Sequence, residues 1–385
     1  MGILTVISDP QAGRGRTSRD VPQRVSGHGC WFPRAIAPTF PAMPTACIQT
    51  PQTRISRESE RLVVVSPDAE NGGEQRRDIP LRDLERMILG EMVSVTMPAL
   101  AEMLRRRIPV SLVDARGRFL GAFQPAAPDH GAARLAQYQR TLDPAFGLAV
   151  AGRIVAAKIY NQRRVVQRMA ANRRDQGGTD PVPGGIDTAL ARMDVMLSRT
   201  AGCTSLDELR GCEGAASAGY FAAWATFFPP EFPFERRSTR PPLNAVNACL
   251  SFAATLLYNE CHAFIHAHGL DAALGFLHTT ENGRWSLALD LMEPFRPVVA
   301  EALSLDLFSH RMLGAKDFEP REGGTYLNHD GRRKLILQYE KRMDRQFMSE
   351  HAGHRTTIRQ QLEQQAVLLK AELDSPGRFE PFLMN

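Results

Sequence analysis

The sequence predicts an α+β fold, in which a small N-terminal β-rich domain is followed by a larger all-α domain. Short β-branched runs separated by turns fill residues 45–123, and helical periodicity continues through residues 134–385. A stretch rich in Pro and Ala lies between them and is the predicted linker, residues 124–133. Of the 385 residues, 43% are hydrophobic and 23% are charged, which excludes a mostly disordered or fibrous protein.

Residues 1–44 differ in composition from the rest of the chain. Gly, Pro, Arg and Ser predominate without helical or strand periodicity, so this segment has too little apolar surface to offset the entropy lost on ordering. Because Met43 directly precedes the first strand-like run, we expect residues 1–44 to be a disordered extension or to arise from a start codon assigned too far upstream.

Two β-branched runs in the N-terminal domain predict strands, residues 61–66 (RLVVVS) and 109–114 (PVSLVD). Asn-Gly-Gly at residues 71–73 is a strong turn signal after the first run. A helix is predicted between the two runs, over residues 96–107, because three apolar side chains recur there at helical spacing: Met97, Leu100 and Leu104. Beyond the linker no convincing strand is found, so the second domain is predicted to contain helices alone.

No segment of the sequence predicts export or membrane insertion. The first ten residues, MGILTVISDP, lack the cationic region and the long apolar stretch of a signal peptide. The most apolar run, residues 243–258, is shorter than the ~20 residues that a membrane span needs. The six cysteines form no C-x-x-C pair, which is typical of a reducing compartment. We therefore expect a cytoplasmic protein without a membrane partner.

The positive charges are mostly arginines. Lys and Arg number 47 against 42 acidic residues, a net charge of +5, and only 5 of the 47 are lysines. Arginine binds phosphate in a bidentate manner that lysine cannot match, so this bias permits a nucleic-acid partner. Codon usage in a GC-rich genome would produce the same bias, and composition alone leaves both explanations open.

A predicted helix over residues 153–174 separates apolar from cationic side chains. No acidic residue occurs in this segment, although solvent-exposed helices usually mix the two signs of charge to gain i,i+4 pairs. The pattern therefore indicates a surface that follows DNA phosphates, and the alternative is a helix face that is merely soluble. The candidate DNA-binding residues are Arg153, Arg163, Arg164 and Arg168.

A second candidate segment is TSLDELRGCEGAASAGYFAAW, residues 204–224. Ser205 and Glu208 have the spacing of a capping box that begins a helix. Glu213 then stands at the edge of a run of small residues, 214–219, which predicts close packing and burial. A buried carboxylate stays ionised only beside a cation, a metal ion or several hydrogen-bond donors. The alternative is a glutamate on the helix surface whose neighbours happen to be small.

A third segment brings one imidazole and two carboxylates close together in sequence. His278 ends an apolar run, and Asp290 and Glu293 follow at i and i+3, one helical turn apart on the same face. Structural explanations are also open: the two acids could begin a helix as N-cap and N3, and a lone histidine after an apolar run is often a core residue.

His278 with two or three of the carboxylates Glu213, Asp290 and Glu293 would form a mixed nitrogen and oxygen donor set. Such a set suits Mg²⁺ or Mn²⁺ better than Zn²⁺, which prefers sites rich in His and Cys. A divalent ion beside a basic surface is what phosphodiester chemistry requires, because the ion offsets charge at phosphorus and activates or positions the attacking hydroxyl.

A competing metal site is the histidine-rich segment NECHAFIHAH, residues 259–268. His262 and His266 have the i,i+4 spacing that can chelate zinc, but the H-E-x-x-H order is absent because Ala263 follows His262. A zinc hydrolase is therefore kept only as an alternative.

The motifs, in this order, resemble those of the CRISPR-associated spacer-acquisition integrases, the first Cas protein of the adaptation module. The resemblance runs from residue 46 to residue 339. GCEGAASAGYF, LGFLH and SLALDLMEPFRP resemble the three metal-ligand motifs of the family, and RPPLNAVNACLSFAATLLYNE resembles its Asn-bearing core helix. The resemblance thus implies Glu213, His278 and Glu293 as metal ligands, and Asp290 is second because some members of the family use an acid at that position.

The resemblance also implies an assembly and an activity. The β-domain would help form a homodimer, and two such dimers would flank a dimer of the second Cas protein in a heterohexamer that holds double-stranded DNA. Each 3′-OH of that DNA would attack a phosphodiester of the CRISPR repeat, so the all-α domain would be catalytic. The expected enzyme is a Mg²⁺- or Mn²⁺-dependent DNA endonuclease and integrase that also cleaves branched DNA. A non-catalytic DNA-binding scaffold of the same fold is the alternative.

Overall fold

The computed structural model has an α+β fold, as the sequence predicts. It describes residues 4–5, 45–48, 50–68, 73–84, 86–114, 119–126, 131–175, 185–350 and 353–385. The prediction for residues 1–44 therefore lies, apart from Leu4–Thr5, outside the described residues. The predicted turn at residues 71–73 lies largely outside them as well.

The N-terminal part consists of short strands and one helix. In chain order these are β1 (Leu4–Thr5), β2 (Thr45–Ile48), β3 (Arg54–Glu58), β4 (Arg61–Asp68), β5 (Gly73–Pro80), β6 (Arg86–Gly90), β7 (Ser94–Val95), α1 (Met97–Arg105), β8 (Val110–Val113) and β9 (Phe119–Phe123). They form two sheets, in the orders β5-β4-β3-β7 and β1-β2-β6-β8-β9. β6 runs parallel to both β2 and β8, and β9 is antiparallel to β8. The predicted strands are confirmed as β4 and β8, and the predicted helix is confirmed as α1.

One hydrophobic cluster unites both sheets with α1. β4 contributes Leu62 and Val64, β6 contributes Met87, and α1 contributes Leu100 and Met103. The prediction that Met97 belongs to the apolar face of the helix is wrong, because this side chain is 70% exposed at the first residue of α1.

The C-terminal part is mainly helical and begins at Gly131, inside the predicted linker of residues 124–133. Its elements are α2 (Gly131–Thr141), α3 (Pro144–Asp175), α4 (Ile186–Thr200), α5 (Leu206–Ala225), α6 (Ala245–Ala267), α7 (Ser286–Met292), α8 (Ala302–Ser309), β10 (Phe318–Arg321), β11 (Gly324–Leu327), α9 (His329–Asp344), β12 (Gln346–Ser349), β13 (His354–Thr357) and α10 (Ile358–Asp374). A π-helical segment, Pro297–Glu301, lies between α7 and α8. No helix of the described residues is both long and apolar enough to cross a bilayer.

The prediction that the second domain contains helices alone is wrong, because β10–β11 and β12–β13 form two antiparallel hairpins. The first hairpin turns at Glu322 and Gly323, whose φ angles of 49° and 74° are those of the two-residue turns that fit strand twist. Each strand has only four residues and is partly exposed. Such strands carry no long apolar run or alternation, so periodicity does not reveal them.

A separate hydrophobic cluster fills the helical part. The predicted apolar residues of α3 are at most 2% exposed at five positions: Ile154, Val155, Ile159, Val165 and Val166. The largest fully buried side chains of this cluster include Tyr220, Trp224, Phe264, Phe295 and Phe308. α3 contacts α5, α7 and the π-helical segment, and it therefore lies against the elements that carry the predicted acidic ligands. The division into domains at residues 124–133 stays a prediction.

Candidate metal centre

Lys158 of α3 joins two of the predicted metal ligands. Its Nζ atom donates a hydrogen bond to Oε1 of Glu213 on α5 and lies 2.5 Å from Oε2 of Glu293, the residue after α7. Lys158 is 4% exposed and Glu293 is 3% exposed, whereas the side chain of Glu213 is 24% exposed. The two carboxylates, distant in sequence, therefore meet at one buried cation.

Asn161 fixes α3 to the segment that follows Glu293. Its Nδ2 atom donates to the carbonyl oxygens of Pro294 and Phe382, at 2.7 and 2.9 Å. Its Oδ1 atom accepts a hydrogen bond from the backbone N–H of Met384 at 2.7 Å. Because Asn161 is fully buried, these three bonds hold the backbone next to Glu293 in place and also bind the C-terminal segment.

Gln162 makes the equivalent contact to α5. Its Nε2 atom donates to the hydroxyl of Ser217 at 3.3 Å, about one helical turn beyond Glu213. Residues i, i+3 and i+4 share one face of a helix, so Lys158, Asn161 and Gln162 form one buried polar face of α3. This face contacts both elements that carry the predicted carboxylates.

Each oxygen of Glu293 lies next to a cation. Arg296 Nη1 lies 3.0 Å from Oε1, and Lys158 Nζ lies 2.5 Å from Oε2. Burial alone would raise the pKa of Glu293, but the charges of Arg296 and Lys158 lower it to about 2. Burial would lower the pKa of Lys158, and the positive charge of Arg296 acts in the same direction. The negative charges of Glu293 and then Glu213 outweigh both effects, so the pKa of Lys158 is raised. Glu293 and Lys158 are therefore both ionised at neutral pH.

His278 is held by Asp290, which is completely buried on α7. Oδ2 of Asp290 accepts hydrogen bonds from the backbone N–H groups of Phe276 and Leu277, at 2.5 and 2.9 Å. Oδ1 accepts from the backbone N–H of His278 at 2.9 Å and lies 2.7 Å from its ring Nδ1. This network places the ring proton on Nδ1, so the lone pair on Nε2 is available to a metal ion, as in carboxylate–histidine–metal triads.

A close backbone approach at Gly275 keeps Asp290 in this position. A Cβ atom added there would lie 2.8 Å from Oδ2 of Asp290, 2.8 Å from the carbonyl oxygen of His278 and 2.9 Å from the carbonyl carbon of Ser286. Two of these three atoms are backbone atoms that cannot move independently. Only glycine therefore fits between the turn that carries His278 and the start of α7.

The alternative explanation of Asp290 and Glu293 as the start of a helix is wrong. α7 begins at Ser286, so Asp290 lies inside the helix and Glu293 follows its last residue. The alternative for Glu213 is only partly right, because this side chain contacts the buried Lys158 although it is partly exposed. Within the run of small residues, Ala216 and Gly219 are buried and Gly214 is exposed, so only one side of the run is packed.

His278 lies within electrostatic range of the carboxylate pair. Burial favours its neutral ring, but the hydrogen bond and the charge of Asp290, followed by the charges of Glu293 and Glu213, raise the pKa of His278. The structure therefore brings Glu213 and Glu293 together at Lys158 and holds His278 against Asp290, and the charges of the two glutamates reach the ring of His278.

The donor atoms of Glu213, His278 and Glu293 are of the type that a hard divalent ion binds. In this structure the ammonium of Lys158 lies between the two glutamates. Two carboxylates and one imidazole nitrogen are the mixed donor set of Mg²⁺ or Mn²⁺ sites. Over the described part of the chain, no three His, Cys, Asp or Glu side chains are grouped closely enough to hold a metal ion. Between Glu213 and Glu293 the positive charge is supplied by Lys158 instead.

Comparison with known proteins decides the family. Residues 46–341 match the family described as CRISPR associated protein Cas1. The chain belongs to the Cas1 family. A CRISPR-associated endonuclease Cas1 of Rhodospirillum rubrum is 33% identical over 342 residues, which cover 86% of this chain and 96% of that relative. The resemblance deduced from the motifs is therefore confirmed.

Two further Cas1 relatives show how the chain compares in length and in fold. A Cas4/Cas1 fusion of Rhodospirillum rubrum is 35% identical over 350 residues, which cover 88% of this chain but only 58% of the fusion. The chain thus spans little more than half of that relative. The solved structure of a Cas1 protein from Thermotoga maritima has a TM-score of 0.68 at 22% identity and covers 87% of this chain and 98% of the other. The fold is therefore that of known Cas1 structures.

Lys158 and Arg296 of this Cas1-family chain are site residues that the sequence reasoning missed. Lys158 belongs to the segment of residues 153–174 that the sequence predicts as a DNA-binding helix, but it lies in the interior of the protein. The sequence does contain a signal for this position. Asn161 and Gln162 follow Lys158 at i+3 and i+4 among apolar residues, and this spacing predicts a polar helix face inside a core. Arg296 lies one turn after Glu293, and this spacing alone indicates an ion pair.

Two of the four candidate DNA-binding arginines are engaged in ion pairs within the Cas1 fold. Arg153 pairs with the buried Glu372 of α10 and donates to the carbonyl oxygen of Phe379 at 2.9 Å. Arg163 lies 2.6 Å from Asp194 of α4. No acid occurs within residues 153–174, but other helices supply acidic partners to these two arginines.

Arg164 and Arg168 have a different environment. Arg164 contacts Gln167 at 3.4 Å, and no ion pair is recorded for either arginine among the described residues. Arg168 is exposed and lines a cleft of ≈ 680 Å³ together with three cations near the end of α9: Lys341, Arg342 and Arg345. This cleft does not include the candidate metal ligands.

The histidine-rich segment of α6 does not converge on one point. Nε2 of His262 lies 3.0 Å from Nε2 of His266, but Glu260 pairs with Arg359 of α10. The third histidine, His268, lies 3.1 Å from Glu363 of the same helix. Glu260 and His268 are therefore held by other residues, and the two histidines that lie together, His262 and His266, gain no third ligand from this segment.

Proposed function

We propose that this chain is a Mg²⁺- or Mn²⁺-dependent DNA endonuclease and integrase of CRISPR adaptation, which inserts short DNA duplexes into a repeat array by 3′-OH transesterification. The observation that carries the proposal is the buried cluster in which Lys158 joins Glu213 to Glu293 next to His278. The relatives support it, because the one that is 33% identical is named a CRISPR-associated endonuclease Cas1 and the one that is 35% identical is named a fusion of the exonuclease Cas4 with the endonuclease Cas1.

Glu213, His278 and Glu293 hold the divalent ion in this proposal, and the neighbouring residues orient them. A bound ion would stabilise the charge that develops on the phosphodiester and help to activate the attacking 3′-OH. Asp290 directs Nε2 of His278 by holding Nδ1 at 2.7 Å. Arg296 holds Oε1 of Glu293 at 3.0 Å, so the ion would use Oε2, the oxygen that Lys158 contacts in this structure. The protein needs no covalent nucleophile, since the DNA supplies the attacking hydroxyl.

The cleft lined by Arg168, Lys341 and Arg345 is the part of the surface that we assign to the DNA backbone, together with Arg164 on the same face of α3. These side chains are cations on a concave surface, which is the arrangement that attracts phosphates. Arg153 and Arg163 already pair with acidic residues, so we leave them out of the predicted phosphate contacts.

The partners in this proposal follow from the resemblance. The chain would form a homodimer and bind double-stranded and branched DNA. Two homodimers would join a dimer of the second Cas protein in a heterohexamer.

Cleavage of branched DNA by the purified chain tests the metal site. We expect cleavage and strand transfer with Mn²⁺ or Mg²⁺ and none with EDTA, and we expect Glu213→Ala and His278→Ala to abolish both while DNA binding persists. Glu231→Ala, the same substitution at an exposed glutamate, is the matched control. Full activity of either ligand variant would refute the site, and DNA binding without any cleavage would favour the non-catalytic scaffold.

The salt dependence of DNA affinity tests the cleft. Each phosphate contact contributes about −0.9 to the slope of log K against log salt concentration, so Arg164→Ala with Arg168→Ala should make the slope shallower by about 2. Arg82→Ala is the control, because Arg82 is 83% exposed in the N-terminal part. An unchanged slope in the double variant would mean that Arg164 and Arg168 make no phosphate contacts and belong only to a solvent-exposed helix face.

A further inference from the structure

Lys158 lies where the two acidic ligands of the proposed metal site meet. We propose that Lys158 is an internal counter-ion, which holds Glu213 and Glu293 together in the metal-free protein and must leave them before a divalent ion can bind. The inference rests on the metal site of the proposed function and assigns to Lys158 a role in its regulation: the lysine sets how tightly the site binds metal.

The geometry makes the ammonium and a metal ion mutually exclusive. Nζ of Lys158 lies 2.5 Å from Oε2 of Glu293 and donates to Oε1 of Glu213. A Mg²⁺ ion would sit about 2.1 Å from the same oxygens, which is nearly the same position in space. Two cations at such a separation repel strongly in a buried site, so both cannot contact this carboxylate pair at once.

Both acidic ligands already have cationic partners without a metal ion. Lys158 and Arg296 carry two positive charges, and Glu213 and Glu293 carry two negative charges. Adding a divalent ion while Lys158 stays in place would bring two more positive charges to a buried carboxylate, Glu293, that already contacts two cations, at a high cost in desolvation. Displacement of Lys158 removes one of these charges from the carboxylates.

Burial explains why a counter-ion is needed at all. Glu293 is 3% exposed, and a buried carboxylate without a cation is strongly unfavourable. The partly exposed side of the cluster is that of Glu213 and His278, whose side chains are 24% and 29% exposed, and this is the side on which the ammonium would leave. Asn161 and Gln162, on the same face of α3 as Lys158, hold the helix in place through their own hydrogen bonds. The flexible stem of a lysine allows its ammonium to turn towards this open side while α3 stays in place.

Lys334 offers a matched comparison. Its Nζ atom lies 2.8 Å from Oδ1 and 2.9 Å from Oδ2 of Asp317, which is 2% exposed, so it also neutralises a buried acid. The acid involved is not one of the proposed ligands. Lys334→Met therefore removes an ion pair of the same chemical type without removing a competitor for the metal ion.

Calorimetric titration of the full chain with Mn²⁺ tests the inference without measuring activity. For Lys158→Met we expect a Kd at least about tenfold lower than that of the wild type, because the competitor is absent. We also expect a lower Tm in EDTA and a larger rise in Tm on adding Mn²⁺. For Lys334→Met we expect a lower Tm and an unchanged Kd. If Lys158→Met does not fold in EDTA, Lys158→Gln is used in its place.

A folded variant at Lys158 with an unchanged or higher Kd for Mn²⁺ would overturn the inference. If the wild-type chain shows no Mn²⁺ binding that depends on Glu213, the metal site of the proposed function is refuted for the wild-type chain. Even then, Mn²⁺ binding gained by Lys158→Met and lost again on adding Glu213→Ala would support the counter-ion role. Absence of binding in both proteins would overturn it.

Discussion

The Nδ1 atom of His278 lies 2.7 Å from Oδ1 of Asp290, and the same carboxylate accepts hydrogen bonds from three consecutive backbone N–H groups, those of residues 276–278. Both oxygens of Asp290 are thus used within the protein, and the side chain is completely buried. This arrangement suits a residue that orients a metal ligand better than one that binds the metal itself. We therefore assign Asp290 a positioning role next to Glu293.

Asp290→Asn should weaken both the metal site and the fold. The amide places an N–H₂ group opposite a backbone N–H, so one buried donor loses its acceptor at a cost of about 1–3 kcal/mol. The ring of His278 loses its fixed orientation, and the affinity for Mn²⁺ should fall about 10–100-fold. Urea unfolding and Mn²⁺ titration measure the two effects. Asp207→Asn, at a side chain that is 92% exposed, is the control and should change neither.

Gly275→Ala should be destabilising although the added group is a single methyl. Its Cβ atom would lie 2.8 Å from Oδ2 of Asp290, so the turn or the start of α7 must shift, at a cost of roughly 1–3 kcal/mol in the free energy of unfolding. Gly211→Ala on α5 is the matched control, because no heavy atom lies within 4 Å of the added Cβ. That variant should gain up to about 1 kcal/mol from helix propensity. Equal stabilities of the two variants would contradict the close approach.

Asn161→Ala should lower the free energy of unfolding by about 2–4 kcal/mol, because the carbonyl oxygens of Pro294 and Phe382 and the N–H of Met384 lose their buried partner. Asn172→Ala removes an exposed amide from the same helix and should change stability by less than about 0.5 kcal/mol. Denaturant unfolding of both variants makes the comparison. A loss of similar size at the two positions would mean that Asn161 does not fix α3 to its neighbours.

Acid should destabilise the fold partly through His262. Burial and the neighbouring His266 lower the pKa of His262 from 6.5 to about 3. Between these two values the unfolded state binds the proton more readily than the folded state, so the free energy of unfolding decreases as the pH falls, by up to about 1.4 kcal/mol per pH unit. His262→Gln, whose amide can still hydrogen-bond to His266, should reduce this slope between pH 7 and pH 5. His329→Gln, at an exposed histidine, should leave the slope unchanged.

Local patterns account for what the sequence could predict. The run RLVVVS forms β4, and the spacing of Ser205 and Glu208 indicates the true start of α5, where the Ser205 side chain accepts from the N–H of Glu208. Each of these signals depends on residues that are neighbours along the chain. The ligand motifs could be recognised for the same reason, since every one of them is a short continuous segment.

Features that depend on tertiary contacts were not predictable in this way. Lys158 looks like one more cation of a basic helix until α5 and the end of α7 bring Glu213 and Glu293 to it. Arg153 likewise receives its acidic partner, Glu372, from a helix far along the chain. Periodicity within one segment reports which face is apolar, and it does not report which partner another segment supplies.

A crystal structure of the full chain with Mn²⁺, with an anomalous difference map, tests the central claim most directly. The account predicts one peak about 2.1–2.3 Å from a carboxylate oxygen of Glu213, Nε2 of His278 and a carboxylate oxygen of Glu293, with Nζ of Lys158 moved away from both acids. A peak at His262 and His266 instead, or Lys158 still joining Glu213 to Glu293 at saturating Mn²⁺, would contradict it.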